Sequence, residues 1–411
     1  MVLNAPLTAP TSLTKPRPGA WKLVAPAIAI AAWGGNHFTP LLLLYRQVEG
    51  YSAVEVDLFL AFYIVGVIPG LLLAGPLSDR HGRKKLMFVA LVLGTIGSVV
   101  LGLGAASVPL LEIGRFFSGA SVAVAMVVGS SWIKELSSAP YDPDVRPSTG
   151  ARRASLTLTV GFGAGAGVSG LLAQWGPLPT LLPYALQILL TVVAVIVLVR
   201  APETRQFDSR VKSLLADLRI PAASRRRFFG VILPIAPWVF STAAIAYAVM
   251  PALIEKQVGP DRIAFATLLT VVTLGSGVGI QLLVPRITAI TGGRQSLVGL
   301  GLAILGVILG AVEASALSPA LAIVVAVLLG GSYGVLIVSG LIEIQQMAGP
   351  DDVAGITGIY YSLTYIGFIL PVVLAALAAA ASYSVLLAVV AAIGVVCLLV
   401  VARNVRPRAG R

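Results

Sequence analysis

The apolar positions of this chain fall in long unbroken runs. They neither alternate nor form one-sided stripes. Leu91–Ala106, Val231–Pro251 and Phe265–Pro285 carry no charge, and neither does the long stretch Val353–Val401. A helix rises about 1.5 Å per residue, so roughly 20 apolar residues cross a hydrocarbon layer about 30 Å thick. Backbone polar groups in lipid must pair within their own segment, which selects helices, and a barrel would need an alternation these runs lack. The pattern predicts an all-α membrane protein with twelve transmembrane helices. They lie near residues 22–45, 57–77, 86–106, 108–133, 154–174, 179–200, 228–250, 263–285, 296–316, 319–341, 354–376 and 382–402. Only the small residues of Ala375–Ser382 divide the last two.

The longest interval between runs, 201–227, separates a first six-helix half (22–200) from a second (228–402), with tails at 1–21 and 403–411. Inside that interval Phe207, Val211, Leu214, Leu215 and Leu218 recur at helical spacing among Arg210, Lys212 and Arg219. This pattern predicts a short helix on the membrane surface, with a solvated linker as the plainer reading of its ends.

Charge then fixes an orientation. Only 11% of residues are charged, against about 25% in soluble domains. With the N-terminus in the cytoplasm, the tails and even-numbered loops hold twenty-five of the 29 Lys and Arg side chains. The opposite side holds Arg46, Lys256 and Arg262, and Arg115 lies within the fourth span. This is the positive-inside asymmetry, and it predicts an inner (plasma) membrane protein with both termini cytoplasmic. It also accounts for the net charge of +12 without a nucleic-acid partner, because cytoplasmic lipid is anionic. The single cysteine, Cys397, rules out an internal disulfide. The histidines are His37 and His81, and the sequence shows neither a metal-ligand cluster nor a phosphate loop. The expectation is therefore no enzyme chemistry, no cofactor and no metal. Solute movement would be passive or driven by a gradient. No re-entrant filter sequence suggests a selective channel.

The most specific block is Gly75-Pro76-Leu77-Ser78-Asp79-Arg80-His81-Gly82-Arg83-Lys84-Lys85-Leu86, between the second and third spans. Two glycines and a proline permit a tight turn, and one acid sits among four strong cations. A tight basic loop would explain the cations but not Asp79 or the glycine spacing. The block resembles the signature loop of the major facilitator superfamily, G-x-L-x-D-R-x-G-R-R/K, through Gly75, Leu77, Asp79, Arg80, Gly82, Arg83 and Lys84. The resemblance extends to the whole chain and is nearest to the bacterial twelve-helix drug/proton antiporters. It implies two rocking halves and monomeric function. It also implies that Asp79 and Arg83 lock the outward-facing state, and a carboxylate at a helix N-terminus would be stabilised by free amides there. The equivalent loop Pro285–Arg294 keeps Gly293-Arg294 but has no acid, as a degenerate second copy would.

Three further segments carry candidate chemistry. In the fourth span, Arg115, Gly119 and Ala123 resemble the family motif R-x-x-x-G-x-x-x-A, which implies proton coupling at Arg115. An arginine in an apolar span costs about 3 kcal/mol, so it faces a cavity or a partner, or it snorkels to the surface beside Glu112, one helical turn away. In the fifth span, Gly161, Gly165 and Gly170 allow close helix approach and resemble the antiporter motif G-x-x-x-G-P-x-x-G-G, departing at Ala166 and Ser169. In the first span, Trp33-Gly34-Gly35-Asn36-His37-Phe38-Thr39-Pro40 places Asn36 and His37 at membrane depth in a loosened helix. His37 either binds a proton or substrate, or bonds a neighbouring helix. Asp57, at the start of the second span, is a further proton-site candidate. Trp33, Asn36, Gln281, Tyr247, Tyr333 and Tyr361 are the cavity candidates.

The expected function is secondary transport by alternating access, with a proton as the coupling ion. Aromatic, weakly charged spans and the fifth-span motif favour efflux of small, largely apolar compounds. The alternative is an importer or facilitator of a polar nutrient such as a sugar, recognised by Asn36, Gln187 and Gln281.

Overall fold

The computed structural model describes residues 18–145, 149–205, 220–347 and 353–405. The surface helix expected at Phe207–Leu218 lies outside the described residues, as do the two chain ends. The described residues form helices joined by turns. Ten helices are long and apolar enough to cross a membrane. They are α2 (Ala53–His81), α3 (Arg83–Leu103), α4 (Val108–Leu136), α5 (Thr149–Trp175), α7 (Ser224–Leu253), α8 (Glu255–Gln281), α9 (Gln295–Ala316), α10 (Pro319–Met347), α11 (Gly355–Leu377) and α12 (Tyr383–Asn404). An eleventh crossing, α1, is the pair Ala25–Asn36 and Leu41–Val48, bent by 41° where Pro40 interrupts the backbone ladder. The twelfth, α6, is Leu182–Leu198, just long enough to span.

Local chemistry sets the boundaries. Ser52 and Glu55 form a capping box that starts α2 four residues before the apolar run begins. At the other end of α2, Gly82 turns the chain with φ +97° into α3. The eighth span, expected to reach 285, stops at Gln281 because Pro285 opens a separate short helix, Val284–Ile290. The break between the last two spans falls at 378–382, where Ser382 caps α12.

Each half is built on the same contact. In the first, α2 and α4 touch backbone to backbone: a Cβ added at Gly66 would lie 2.0 Å from the Phe116 carbonyl oxygen, and one at Gly119 2.1 Å from that of Tyr63. In the second, Gly330 and Gly334 of α10 rest in the same way on Thr273 and Gly277 of α8. The outer faces carry exposed Val, Leu and Ile, as lipid requires.

The two halves meet unequally. The loop between α2 and α3 defines the loop end of the molecule, and the opposite side is the far end. At the far end Arg46 pairs with Glu255 across the halves, and Gln174 of α5 bonds Pro260 and Ala264. Along the α5–α8 seam, Gly170 abuts Thr267 and, one turn on, Gly167 faces Val271. One turn farther toward the loop end on each helix, at Gly163 of α5 and Gly275 of α8, an added Cβ would meet nothing within 4 Å. The seam is thus closed at the far end and parted at the loop end. A shared apolar cluster that includes Phe38, Tyr63, Leu71, Tyr247, Tyr365 and Phe368 joins the halves at depth.

Candidate functional site

Three sets of candidate side chains emerge. The first surrounds the loop. Arg83 is buried and pairs with Asp79 one turn back (2.8 Å) and with Glu135 of α4 (2.8 Å), and it also bonds Ser78. Asp79 in turn meets Arg205 at 3.3 Å. The N-terminal amides of α3 are not taken by Asp79, which lies in the last turn of α2. Glu203 takes them, accepting from the backbone N–H groups of Arg83 (3.0 Å) and Lys84 (2.9 Å). The expectation of a capping role for Asp79 is corrected accordingly: a carboxylate at a helix C-terminus opposes the dipole and is held there by Arg83 and Arg205. Gly82 is required twice, for its positive φ and because a Cβ would sit 2.7 Å from the Glu203 carboxylate. Gly75 has ordinary space around it, and Arg80 is exposed. Each ion pair of Asp79 stays within the first half or the adjoining Arg205. The second half has its own counterpart in Arg227–Glu343 (2.7 Å), where Glu343 is buried.

The second set is the polar interior of the first half. Arg115 does not snorkel, being only 1% exposed. Its guanidinium lies 4.7 Å from the Phe38 ring centroid and 4.3 Å from that of Tyr63, and it donates to the carbonyls of Phe59 and Gly35. Among the described residues it makes no ion pair, and Glu112 does not join it. Glu112 is half-buried on its own helix, whereas Arg115 turns inward against α1 and α2. His37 is wholly buried at the bend of α1, edge-on to Tyr184 at 4.9 Å, and neither ring nitrogen has a hydrogen-bond partner among the described residues. The Trp33 Nε1 and Ser169 Oγ are likewise unpartnered. Tyr45 and Tyr184 share a 2.8 Å hydrogen bond. Two of the three amides named for recognition, Asn36 and Gln187, are already engaged. Asn36 donates to Phe162 and accepts from Thr39, and Gln187 accepts from Ser98.

The third set lies between the halves. Phe240 stacks on Phe368 (4.8 Å) and packs on Tyr365 (4.4 Å) and Tyr333 (5.7 Å). Tyr63 approaches Tyr365 and Phe368 from the first half. Tyr365 also reaches Met126, donating to its sulfur at 3.3 Å. Phe162, Phe240, Tyr333 and Tyr361 remain partly exposed, below the buried Tyr63, Tyr247 and Tyr365. The result is an aromatic surface facing the parted seam. The charged group set against it is Arg115, a cation. Tyr247, Tyr333 and Tyr361 have phenol groups that make no hydrogen bond among the described residues. Gln281, the last residue of α8, lies one turn beyond the contact of Gly277 with Tyr333 and is half-buried. Gly161 and Gly165 seat α5 on the backbone of α1 at Ala29 and Trp33, so their role here is close packing. Asp57 lies apart from all three sets, in a cavity at the far end lined also by Arg46.

Sequence reasoning missed Glu135, Glu203, Phe240 and Phe368. A signal existed for Glu203, an acid directly after the sixth span, but its partner lies over a hundred residues away. A one-turn π-helical insertion at Ile245–Val249 places Tyr247 and has no sequence signature of its own.

Comparison with known proteins places this arrangement. The chain is 33% identical over 85 residues to "Sugar transporter ERD6-like 15" of Arabidopsis thaliana, covering 21% of this chain and 18% of that protein. It is 22% identical over 198 residues to "Multidrug resistance protein 2" of Bacillus subtilis, covering 47% and 48% of the two chains. The matched segments therefore span less than half the length of either relative. The nucleoside transporter NupG shares the fold, with a TM-score of 0.73 over 94% of this chain and 99% of its own at 12% identity. The model of the Major Facilitator Superfamily matches residues 24–370. The chain belongs to that superfamily and is one of its multi-pass membrane transporters.

Proposed function

We propose that this transporter exports small, largely apolar compounds in exchange for protons, with the loop end in the cytoplasm. The observation that carries the reading is the aromatic surface between the halves, where Phe162, Phe240, Tyr333 and Tyr361 face the parted seam. Such a surface binds by apolar burial and ring stacking, at about 25 cal/mol per Å² of apolar area removed from water. Two of the three amides that would read a sugar, Asn36 and Gln187, are bonded elsewhere. The distribution of Lys and Arg favours a cytoplasmic loop end, so the parted seam loads from the cytoplasm. His37 is the coupling candidate. It lies in the same cluster as Arg115, and protonating it places a second cation near an uncompensated one, a charge change that biases the balance between two states.

The test is uptake of a fluorescent amphiphile into inverted vesicles holding the purified protein, with and without an inside-acid gradient. Accumulation that disappears when the gradient is collapsed supports proton-coupled export. Unchanged rate and pH dependence in His37→Gln removes His37 from the coupling.

A second reading, import or facilitation of a polar nutrient such as a sugar, is favoured by the unbonded phenols of Tyr247, Tyr333 and Tyr361, which can donate to hydroxyl groups. Gradient-independent exchange of a sugar, with no amphiphile accumulation, would select it.

A further inference from the structure

The far-end cavity encloses about 230 Å³ between the halves. Thr39, Arg46 and Asp57 line it from the first half, and Tyr247, Ala375 and Tyr383 from the second. Arg46 reaches across to Glu255, the first residue of α8, at 3.7 Å. Asp57 shares the cavity and the half of Arg46, yet it makes no ion pair and no hydrogen bond among the described residues. One guanidinium therefore faces two carboxylates, and it is paired with the one on the opposite half.

We propose that Asp57 is the alternate partner of Arg46, and that exchange of Arg46 from Glu255 to Asp57 sets how readily the far end opens. The inference rests on the alternating-access reading above. When the halves part at the far end, Glu255 leaves with the second half. Arg46 and Asp57 stay together on α1 and α2, so the guanidinium keeps a counter-charge in either state. Without Asp57, opening would strand Arg46; without Glu255, closure would lose its cross-half pair. The three are positioning residues for the transport cycle. They differ in sign: Glu255 holds the far end shut and Asp57 helps it open.

The experiment uses the full chain in lipid nanodiscs, with Cys397→Ala as the parent. Two single-cysteine reporters read the ends: Ala375→Cys, on the cavity wall, and Gly163→Cys, on the parted seam. Maleimide labelling rates are measured for each. The Arg46–Glu255 pair is about a quarter exposed on each side, and removing such a pair shifts a two-state population by about fivefold. Glu255→Gln is expected to speed labelling at position 375 by about that factor and to slow it at 163. Asp57→Asn is expected to do the reverse, and to lose its effect once Arg46→Gln is present. Asp57→Asn that leaves labelling at 375 unchanged, speeds it, or still acts without Arg46 overturns the proposal. The steric wedge Gly170→Ala is the control for alternating access itself. If the wedge moves the two reporters in opposite directions and the charge variants do not, the exchange alone is wrong. If the wedge moves neither, alternating access fails and the exchange fails with it.

Discussion

Replacing Gly170 with alanine should turn the far-end seam into a wedge. A Cβ at that position would lie 1.8 Å from the Thr267 hydroxyl oxygen, 2.6 Å from its methyl and 2.7 Å from its Cβ. Rotating the threonine side chain does not clear the clash, because its Cβ is fixed to the backbone of α8. The two helices must separate at this level by roughly an ångström, the gap between 2.7 Å and an ordinary carbon contact of about 3.5–4.0 Å. Overpacking of this kind costs about 1–3 kcal/mol when the structure has to stay put. Here it can move. In a state opened at the far end the added methyl meets no neighbour across the seam, so the cost falls on one conformer only. A differential of 1–3 kcal/mol converts to about a 5- to 150-fold shift of population toward far-end opening. Spin labels on α5 and α8 near the far end, read by double electron–electron resonance, should move from a short to a longer distance, while a loop-end pair shortens. Thr267→Gly in the same chain removes all three clashing atoms and should restore the parent distribution. The reasoning is refuted if Gly170→Ala leaves the distances unchanged, or if Thr267→Gly fails to reverse its effect.

Three other outcomes follow from the same geometry. Glu203→Ala should lower thermal stability by about 1 kcal/mol through loss of the α3 cap, and Glu203→Gln, which still accepts hydrogen bonds, should lose less; equal loss in both would assign the effect to charge alone. Arg115→Lys should transport as poorly as Arg115→Gln, because an ammonium cannot lie flat between Phe38 and Tyr63 while donating to two carbonyls; initial-rate transport by the lysine variant near the parent level would contradict this. Phe240→Ala should raise KM for an aromatic substrate by roughly tenfold, the about 0.5–1.5 kcal/mol of ring contact plus lost burial, while Tyr361→Phe should leave KM unchanged; the opposite ranking would favour a hydroxyl-reading site.

The number and order of the helices were legible because lipid leaves one solution for a long uncharged run. Even the weak division between the last two spans fell within Ala375–Ser382, where Ser382 supplies a cap. Helix ends were less legible, since α2 extends to Ser52 and His81 through capping groups that lie outside the apolar run. The loop motif pointed to Asp79 and Arg83, which pair at 2.8 Å, but their other partners were invisible: Glu135 and Glu203 are charged residues at span ends, where sequence offers many equivalents. The same limit applied to the tyrosines. Tyr360 donates to the Leu336 carbonyl and is packing, whereas its neighbour Tyr361 faces the seam, and adjacent residues on a helix differ by about 100° in direction. Glu112 failed as a partner for Arg115 for a related reason. Spacing of three puts two Cβ atoms on one face, but the longer side chains part when one finds rings and carbonyls inside.

The π-helical turn at Ile245–Val249 carries one more residue than a regular helix would need over the same length. That surplus residue rotates the remainder of α7 by about 100°, which sets where Tyr247 and the far-end residues Pro251 and Leu253 point. It has a genealogical consequence. Together with the π-helical turn at Phe228–Ile232, it is a place in α7 where a chain can lack a single residue and still keep both flanking segments in register with their neighbours. A one-position gap placed inside such a π-helical turn keeps the flanking segments in register, whereas one placed in a regular turn of the helix rotates every residue beyond it by about 100°.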